Sequence, residues 1–403
     1  MNESSITLLH FNPTCELAVA NGSPYYVAPA LLREFEEELS PLMMLFSGGK
    51  DWVIRETPVS ARFADQMAGF GFPTAEFVPK GEVKARLTEN GIEKVGLRPW
   101  GNSPAESNFF RFLHPITQLS WKPELKELYG RKAAAQFLKN FVSKHHSPIF
   151  PGEAELPVTA STISEIETYL KRWGTIAMKA PYSSSGRGLQ VIRQQNLNRS
   201  NLQWIETTLK QQAYLMVEKW HKKICDLSFQ FLMDENGQTH YLGPSFFLTN
   251  LNGQYAGHYL HFSGFRQFPF SENEISDIGR MLCEELANSA YSGSYMGYLG
   301  IDAMIYMDGD ATKFHPCLEV NTRHTMGLVS KTIEQYLHPG SFGYFRTFFS
   351  KQGEYAALAE EMRRKQPPLI VDGKLTGGFV SLTNPSPTSR FGAWLEIKAP
   401  DKD

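Results

Sequence analysis

Residues 299–323 read LGIDAMIYMDGDATKFHPCLEVNTR, two apolar segments joined by the turn-forming sequence GDAT. Folding the chain at the centre of GDAT, between Asp310 and Ala311, places Asp302 directly opposite Glu319. Residues directly opposite each other in an antiparallel pair share a face, with Cβ atoms about 4.5–5.5 Å apart. The segment therefore predicts a β-hairpin that carries two carboxylates side by side.

The pattern around this pair predicts a metal site. Asn321 and Arg323 follow Glu319 at a period of two, so they lie on the same face while the strand stays regular. Two like charges directly opposite each other are destabilising without a cation, and magnesium is usually held by one or two carboxylates together with water and phosphate oxygens. We predict Asp302, Glu319 and Asn321 as ligands of Mg²⁺, with Mn²⁺ as a second option. A solvated sheet face is the plain alternative.

A second stretch, MKAPYSSSGRGLQVI at residues 178–192, has the small residues and the lysine that suit a loop folded around phosphate. A P-loop needs GxxxxGK[ST] at the start of a helix, and a Rossmann fingerprint needs GxGxxG between a strand and a helix. Here the loop is followed by LQVIR, which has the pattern of a strand. We predict a hairpin flap with Lys179 near the end of its first strand; taken alone, an ordinary exposed turn explains the loop as well.

Length and composition narrow the class of protein. A chain of 403 residues predicts roughly two or three domains. The net charge of −2 gives no general attraction to nucleic acid or to anionic membranes. The four cysteines are far apart and form no CxxC pair, which argues against a zinc ribbon or a disulfide framework. The N-terminal sequence lacks a signal-peptide pattern, and no apolar run approaches the roughly 20 residues of a membrane span. We expect a cytoplasmic protein with small-molecule partners, without nucleic acid or membrane.

The first hundred residues alternate strand-like and helix-like segments. Candidate strands lie at 4–11, 41–46 and 75–79, and helical spacing occurs at 28–39 and 59–70. Alternation of this kind favours an open, mainly parallel sheet.

Five motifs in order, GRKAAAQFLK, MKAPYSSSGRG, LMVEKWH, LGIDAMIY and LEVNTR, resemble those of the ATP-grasp superfamily over residues 116–345. LEVNTR, with an acidic residue on the partner strand, is the most specific of them. The resemblance implies a fold of mixed α/β and α+β class. It comprises a Rossmann-like pre-ATP-grasp domain (1–115), a two-subdomain ATP-grasp domain (116–345, flap about 160–220) and a C-terminal extension of a helix and short strands (346–403).

The resemblance also implies ATP as a ligand and roles for individual residues. Lys179 would contact the α- and β-phosphates, assisted by the basic residue that begins the first helix, either Arg131 or Lys132. The flap residues that would cover the phosphates are Ser184, Ser185 and Gly186. Arg131 and Lys132 have a plain alternative as solvent-exposed charges at a helix start.

For the nucleoside, the resemblance implies that Glu218 binds the adenine amino group and that backbone groups of Lys219 and His221 bind the same edge. Asp226 is the candidate for the ribose hydroxyls. Glu218 and Asp226 could equally be ordinary exposed acids beside a turn. Arg323 matches the arginine that neutralises a substrate carboxylate or the phosphate in transfer, with a structural ion pair to Glu319 as the alternative.

The implied activity is that of an ATP-dependent ligase, which activates a small-molecule carboxylate as an acyl-phosphate for attack by an amine or a similar nucleophile. A small-molecule kinase and a non-catalytic nucleotide-binding regulator are the alternatives, and a homodimer is one option for the assembly. Two loops, 11–26 and 246–267, are candidates for the acceptor site. The residues considered there are Asn12, Glu16, Asn21 and Arg266.

Overall fold

The computed structural model describes residues 5–183, 188–249, 255–262, 264 and 269–399. The strands are β1 (Ser5–His10), β2 (Trp52–Ile54), β3 (Glu76–Val78), β4 (Lys94–Pro99), β5 (Val158–Ala160), β6 (Ile176–Lys179), β7 (Leu189–Ile192), β8 (Leu215–Lys219), β9 (Lys222–Met233), β10 (Thr239–Thr249), β11 (Tyr255–Leu260), β12 (Gly297–Asp308), β13 (Ala311–Asn321), β14 (Phe342–Phe349), β15 (Leu369–Val371), β16 (Lys374–Ser381) and β17 (Phe391–Lys398).

The helices are α1 (Cys15–Asn21), α2 (Ala30–Leu39), α3 (Ala61–Gly69), α4 (Lys80–Glu89), α5 (Pro104–Phe109), α6 (Leu125–Leu128), α7 (Arg131–His145), α8 (Ile163–Trp173), α9 (Arg199–Gln212), α10 (Glu272–Ala287), α11 (Met326–Glu334) and α12 (Tyr355–Lys365). Short 3₁₀ helices occur at Ser40–Phe46, Phe110–Leu113 and Glu153–Glu155. In the part of the chain described above, no helix is both long enough and apolar enough to cross a bilayer.

The chain divides into two compact units. The first comprises Met1–Trp121, Ala256–Gly264 and Met326–Asp403, and the second comprises Lys122–Tyr255 and Phe265–Thr325. The sequence assigns residues 326–345 to the ATP-grasp domain and residues 346–403 to a separate extension. In the structure both stretches belong to the same unit as the N-terminal residues. The domain limits themselves stay a prediction.

The first unit contains the predicted parallel sheet, with strand order β3–β2–β1–β4. Its apolar core combines N-terminal and C-terminal residues, such as Leu9, Val329 and Leu395. The predicted strand at 41–46 is wrong: these residues form a 3₁₀ helix that buries Leu42 and Met43. A short apolar run does not by itself distinguish a strand from a buried helical segment.

The second unit contains two antiparallel sheets. In one, the order is β5–β8–β6–β7, and α8 and α9 supply apolar residues such as Ile166 and Ile205 to its core. Helix α8 begins with a capping box between Thr162 and Glu165 and ends before Gly174. In the other sheet β13, β12, β9 and β10 are hydrogen-bonded in that order. Helices α7 and α10 pack against this second sheet, and α7 buries Ala134, Phe137, Leu138 and Phe141.

Candidate nucleotide and metal site

The hairpin of β12 and β13 has the predicted register at its functional end. Asp302 pairs with Glu319, and Gly300 pairs with Asn321. The predicted turn centre is wrong, because Asp308 pairs with Ala311 and the turn lies one residue earlier, at Gly309 and Asp310. A bulge between Asp302 and Met304 compensates for this difference, because the four-residue step from His315 to Glu319 faces a two-residue step on β12. The displaced turn and the bulge have opposite effects on the register, so the predicted pairing of Asp302 with Glu319 is still correct.

The residues around Asp302 form a connected polar group. The Asn321 side-chain amide donates to Asp302 Oδ2 at 3.1 Å, and Arg323 donates to Asn321 Oδ1 at 2.9 Å. Burial, and then the negative charge of Glu319, raise the pKa of Asp302 to about 7, against the opposing effects of Asn321 and Arg323. A divalent cation would stabilise the charged form of this buried carboxylate, so the residues fit the predicted magnesium site.

The donor set is small. Among the described residues, no group of three or more histidine, cysteine, aspartate or glutamate side chains is arranged to hold a metal. A cation at Asp302 and Glu319 would therefore complete its coordination with the Asn321 amide and with oxygens from water or phosphate, as magnesium commonly does.

Arg131 connects this carboxylate pair to the base of the flap. Its guanidinium forms an ion pair with Glu319 at 2.9 Å, and it donates to the carbonyl of Ala180 at 3.0 Å and to Ser183 Oγ at 3.1 Å. Lys132, the alternative candidate, is exposed on α7 and makes no hydrogen bond or ion pair with the described residues. The structure thus brings Arg131, and not Lys132, to the site.

The flap is a hairpin, as predicted. Strands β6 and β7 are antiparallel, with Lys179 opposite Leu189, and the Ala180 amide donates to the carbonyl of Gly188 at 2.8 Å. A Cβ atom at Gly188 would lie 2.4 Å from the Cβ of Ser183, so glycine is needed for this close approach. The predicted phosphate contacts Ser184, Ser185 and Gly186 lie outside the described residues.

Lys179 and Glu218 bind each other directly. Neighbouring strands β6 and β8 carry them, and Lys179 Nζ lies 2.5 Å from Glu218 Oε2 with both side chains largely buried. The predicted phosphate-binding lysine and the predicted adenine-binding acid therefore lie at one place, next to the flap.

The other predicted nucleoside contacts, Lys219 and His221, lie at the end of β8 and just after it. The Lys219 ammonium forms ion pairs with Glu155 and Asp308. His221 is buried with its ring centroid 4.1 Å from that of Tyr306, and burial, followed by the charge of Lys219, lowers the pKa of His221 to about 4.

The ribose candidate Asp226 is also engaged. It accepts a hydrogen bond from Thr249 Oγ1 at 2.8 Å and forms an ion pair with Lys223. Asp226 and Met304 are register partners on β9 and β12, which places Asp226 on the polar face that carries Asp302.

Three of the four candidate acceptor residues belong to the first unit. In the first unit, Asn12 donates to Glu106 at 2.9 Å and to the carbonyl of Gly101 at 2.8 Å. Glu16 is buried in α1, and Asn21 accepts a bond from the Ser23 amide at 3.2 Å. Arg266 lies outside the described residues, as does much of the 246–267 loop. The roles of these four residues in binding an acceptor stay predictions.

Two residues at this site, Tyr306 and His315, were not identified from the sequence. Both are buried on the hairpin that carries Asp302 and Glu319. Tyr306 follows Asp302 at the same period of two that indicated Asn321, and this spacing could have found it. His315 lies an even number of residues before Glu319, across the bulge, so the same counting could have found it as well.

Comparison with known proteins supports the fold. No protein-family model matches the chain. Biotin carboxylase from Campylobacter jejuni superposes with a TM-score of 0.54 at 13% identity, over 98% of this chain and 87% of that one. N5-carboxyaminoimidazole synthetase from Staphylococcus aureus in complex with ADP gives a TM-score of 0.50 at 11% identity, over 100% of this chain and 95% of that one. Both neighbours are ATP-grasp proteins. The chain has the ATP-grasp fold that the resemblance implies.

One curated protein is similar in sequence. The [butirosin acyl-carrier protein]–L-glutamate ligase of Niallia circulans is 30% identical over 151 residues. This similarity covers 37% of the present chain and 32% of that ligase, so the match spans about a third of the relative's length.

Proposed function

We propose that the protein is an ATP-dependent ligase that phosphorylates a small-molecule carboxylate and lets an amine displace the phosphate. The observation that carries this proposal is the opposed pair Asp302 and Glu319, connected through Arg131 to the base of a flap that also presents Lys179. This arrangement combines a cation site with two basic side chains, as the transfer of a highly charged phosphoryl group requires.

The basic residues would act on the phosphates of ATP. Negative charge is spread over the transferring phosphoryl oxygens, so prearranged donors and cations provide most of the catalysis. Lys179 and Arg131 would supply such donors, after exchanging their present carboxylate partners for phosphate oxygens. Magnesium, when bound, would be held by Asp302, Glu319 and Asn321 and would neutralise phosphate charge.

The remaining residues would orient the two ends of the reaction. Arg323, fixed through Asn321 and through the carbonyl of His324 at 3.1 Å, would align the acceptor carboxylate with the phosphoryl group. Glu218 and the backbone of Lys219 and His221 would hold the adenine. The acyl-phosphate then loses inorganic phosphate when the amine forms the new carbon–nitrogen bond.

The relatives suggest where to look for substrates. The similar ligase named above joins L-glutamate to an acyl-carrier protein, so L-glutamate, which carries both carboxylates and an amine, is the first substrate to test. We propose a small-molecule carboxylate and an amine-type acceptor as partners; a homodimer is a separate expectation that gel filtration would test.

A hydroxylamine trap tests the proposal. Purified protein is incubated with ATP, Mg²⁺, hydroxylamine and pools of carboxylates, and hydroxamate and ADP are measured. A ligase gives equal amounts of hydroxamate and ADP, because hydroxylamine attacks the acyl-phosphate and releases phosphate. ADP with a stable phosphorylated product and no hydroxamate indicates the kinase. Lys179→Met should abolish turnover, whereas the matched control Lys132→Met, on the exposed side of α7, should not. Absence of any ATP turnover across the pools would contradict the ligase.

A further inference from the structure

One face of β12 leads away from the carboxylate pair. Asp302, Met304 and Tyr306 follow one another at a period of two, and Met304 lies beside Asp226 of β9 and His315 of β13. With a rise of about 3.3 Å per residue, Tyr306 lies about 13 Å along the strand from Asp302. This spacing is comparable with the distance between the terminal phosphates and the base of an extended nucleoside triphosphate.

Tyr306 and His315 have buried polar atoms without partners. Tyr306 is 0% exposed and His315 is 3% exposed. Tyr306 Oη and His315 Nδ1 form no hydrogen bond with any residue in the described part of the chain. Leaving a buried donor or acceptor unpaired costs about 1–3 kcal/mol, and nearly all such groups in folded proteins are paired. Other unpaired atoms occur in the chain, but these two lie together beside predicted nucleotide contacts.

The surroundings of these atoms suit a neutral polar ligand. The His221 ring lies beside both, with its centroid 4.1 Å from Tyr306 and 6.2 Å from His315, and the Tyr306 and His315 centroids are 6.5 Å apart. Burial lowers the pKa of His315 to about 3, with smaller contributions from His221 and Lys179. Near pH 7 both histidines are therefore neutral, and each ring offers one donor and one acceptor. Lys179 is close enough to affect His315, so the pair lies near the flap lysine.

We propose that Tyr306 and His315 form hydrogen bonds with the base of the bound nucleotide. This inference rests on the nucleotide site of the proposed function. It adds two polar side chains that would contact the base in addition to Glu218. The ring nitrogens and amino group of adenine provide acceptors and donors that match a hydroxyl and a neutral imidazole. The base would thereby satisfy two atoms that the protein leaves unpaired.

The test compares two ligands that share phosphates but differ in having a base. Equilibrium dissociation constants for ADP and for tripolyphosphate are measured by calorimetry with Mg²⁺ for wild type, Tyr306→Phe and His315→Leu. Tyr306→Phe should weaken ADP binding by about 2–12-fold, the equivalent of one ordinary hydrogen bond. The affinity for tripolyphosphate should stay within about two-fold, which separates loss of base contacts from general damage.

The unfolding temperature of the ligand-free protein distinguishes a binding role of Tyr306 from a structural one. Because Tyr306→Phe removes an unpaired buried hydroxyl, the ligand-free variant should unfold at the wild-type temperature or above it. Tyr241→Phe is the matched control, since Tyr241 packs against Gly279 of α10 on the opposite side of the sheet, and it should leave ADP affinity unchanged.

The outcomes separate this inference from the proposed function. If wild type binds ADP and Tyr306→Phe binds it equally well, water or a structural role accounts for the unpaired atoms, and the inference is wrong. The inference is also wrong if wild type binds tripolyphosphate and binds ADP no more tightly. If wild type binds neither ligand, the nucleotide site itself is absent and both proposals fail. Should His315→Leu not fold, the nearly isosteric Tyr306→Phe decides alone.

Discussion

The two faces of strands β9 and β12 differ in what they do for the protein. On one face Phe229 pairs with Ile301 and Leu227 pairs with Ala303, and all four side chains are fully buried in the core. On the other face the same strands carry Asp226, Ser228 and Asp302. Alternation along a strand thus separates residues that stabilise the sheet from residues that bind ligands, within one pair of strands.

The polar face itself has two kinds of region. Around Gln230 every bond is made internally: its amide donates to Ser228 at 2.7 Å and to Ser245 at 3.2 Å, and its oxygen accepts from Thr325 at 2.6 Å. Around Asp302 and Tyr306 the polar groups include a carboxylate with a raised pKa and an unpaired hydroxyl. A fully paired network rigidifies a core, whereas the unpaired groups in the region of Asp302 and Tyr306 are those that we propose the nucleotide completes.

The largest expected effect is on the apolar face. Phe229→Ala should lower the free energy of unfolding by about 3–5 kcal/mol, because it removes a fully buried ring and leaves a cavity. Urea denaturation measures this change. The matched control on the same strand is Ile224→Ala, whose side chain is 44% exposed, and it should change the unfolding free energy by less than about 0.5 kcal/mol. Equal losses for both would contradict the division between the faces.

The next effect concerns Asp302 and pH. Its pKa in the folded protein is about 7, above the usual value of 3.8, so the folded state holds the proton more tightly than the unfolded state. Without metal or nucleotide, this group should stabilise the fold below about pH 4 and lose that contribution as the pH rises to 7, at up to about 1.4 kcal/mol per pH unit.

Asp302→Asn should remove this dependence. Chemical denaturation of the metal-free protein at a series of pH values compares the two slopes, and Asp65→Asn, at an exposed position of α3, serves as the control. Parallel slopes for wild type and Asp302→Asn between pH 4 and 7 would show that the pKa of Asp302 is not raised in the folded protein.

A smaller effect is expected where the polar face is internally paired. Gln230→Leu leaves the hydroxyls of Ser228, Ser245 and Thr325 without their amide partner, and each unpaired group is worth about 1–3 kcal/mol at most. We expect unfolding free energy to fall by about 1–3 kcal/mol in total, since hydroxyls can partly rearrange. An increase in the unfolding free energy would instead indicate that this network, too, is part of a ligand-binding site.

Several features of the site could be predicted from the sequence because they depend on local patterns. The flap hairpin followed from two strand-like segments around small residues, and β6 and β7 do pair antiparallel. The pairing of Asp302 with Glu319 was also correct, although the turn lies one residue earlier than predicted. The predicted pairing agrees with the structure only because of the bulge, which the sequence did not indicate.

Other features depend on long-range packing and could not be read locally. The run at 41–46 is apolar enough for a strand, but its burial as a 3₁₀ helix is decided by the core it joins. The choice of Arg131 over Lys132 depends on the helix orientation that brings one of them to Glu319. The missing partners of Tyr306 and His315 become visible only when every neighbour is placed.

The central claim is that the carboxylate pair holds a metal that ATP needs. It is tested most directly by thermal unfolding with ATP, with and without Mg²⁺, for wild type, Glu319→Gln and Lys132→Met. At about 100 times its dissociation constant a ligand adds about 2.7 kcal/mol of stability, which corresponds to a rise of about 3–6 °C. Wild type and Lys132→Met should show this rise only with Mg²⁺, and Glu319→Gln should lose it. A rise that is independent of Mg²⁺, or that persists in Glu319→Gln, would contradict the claim.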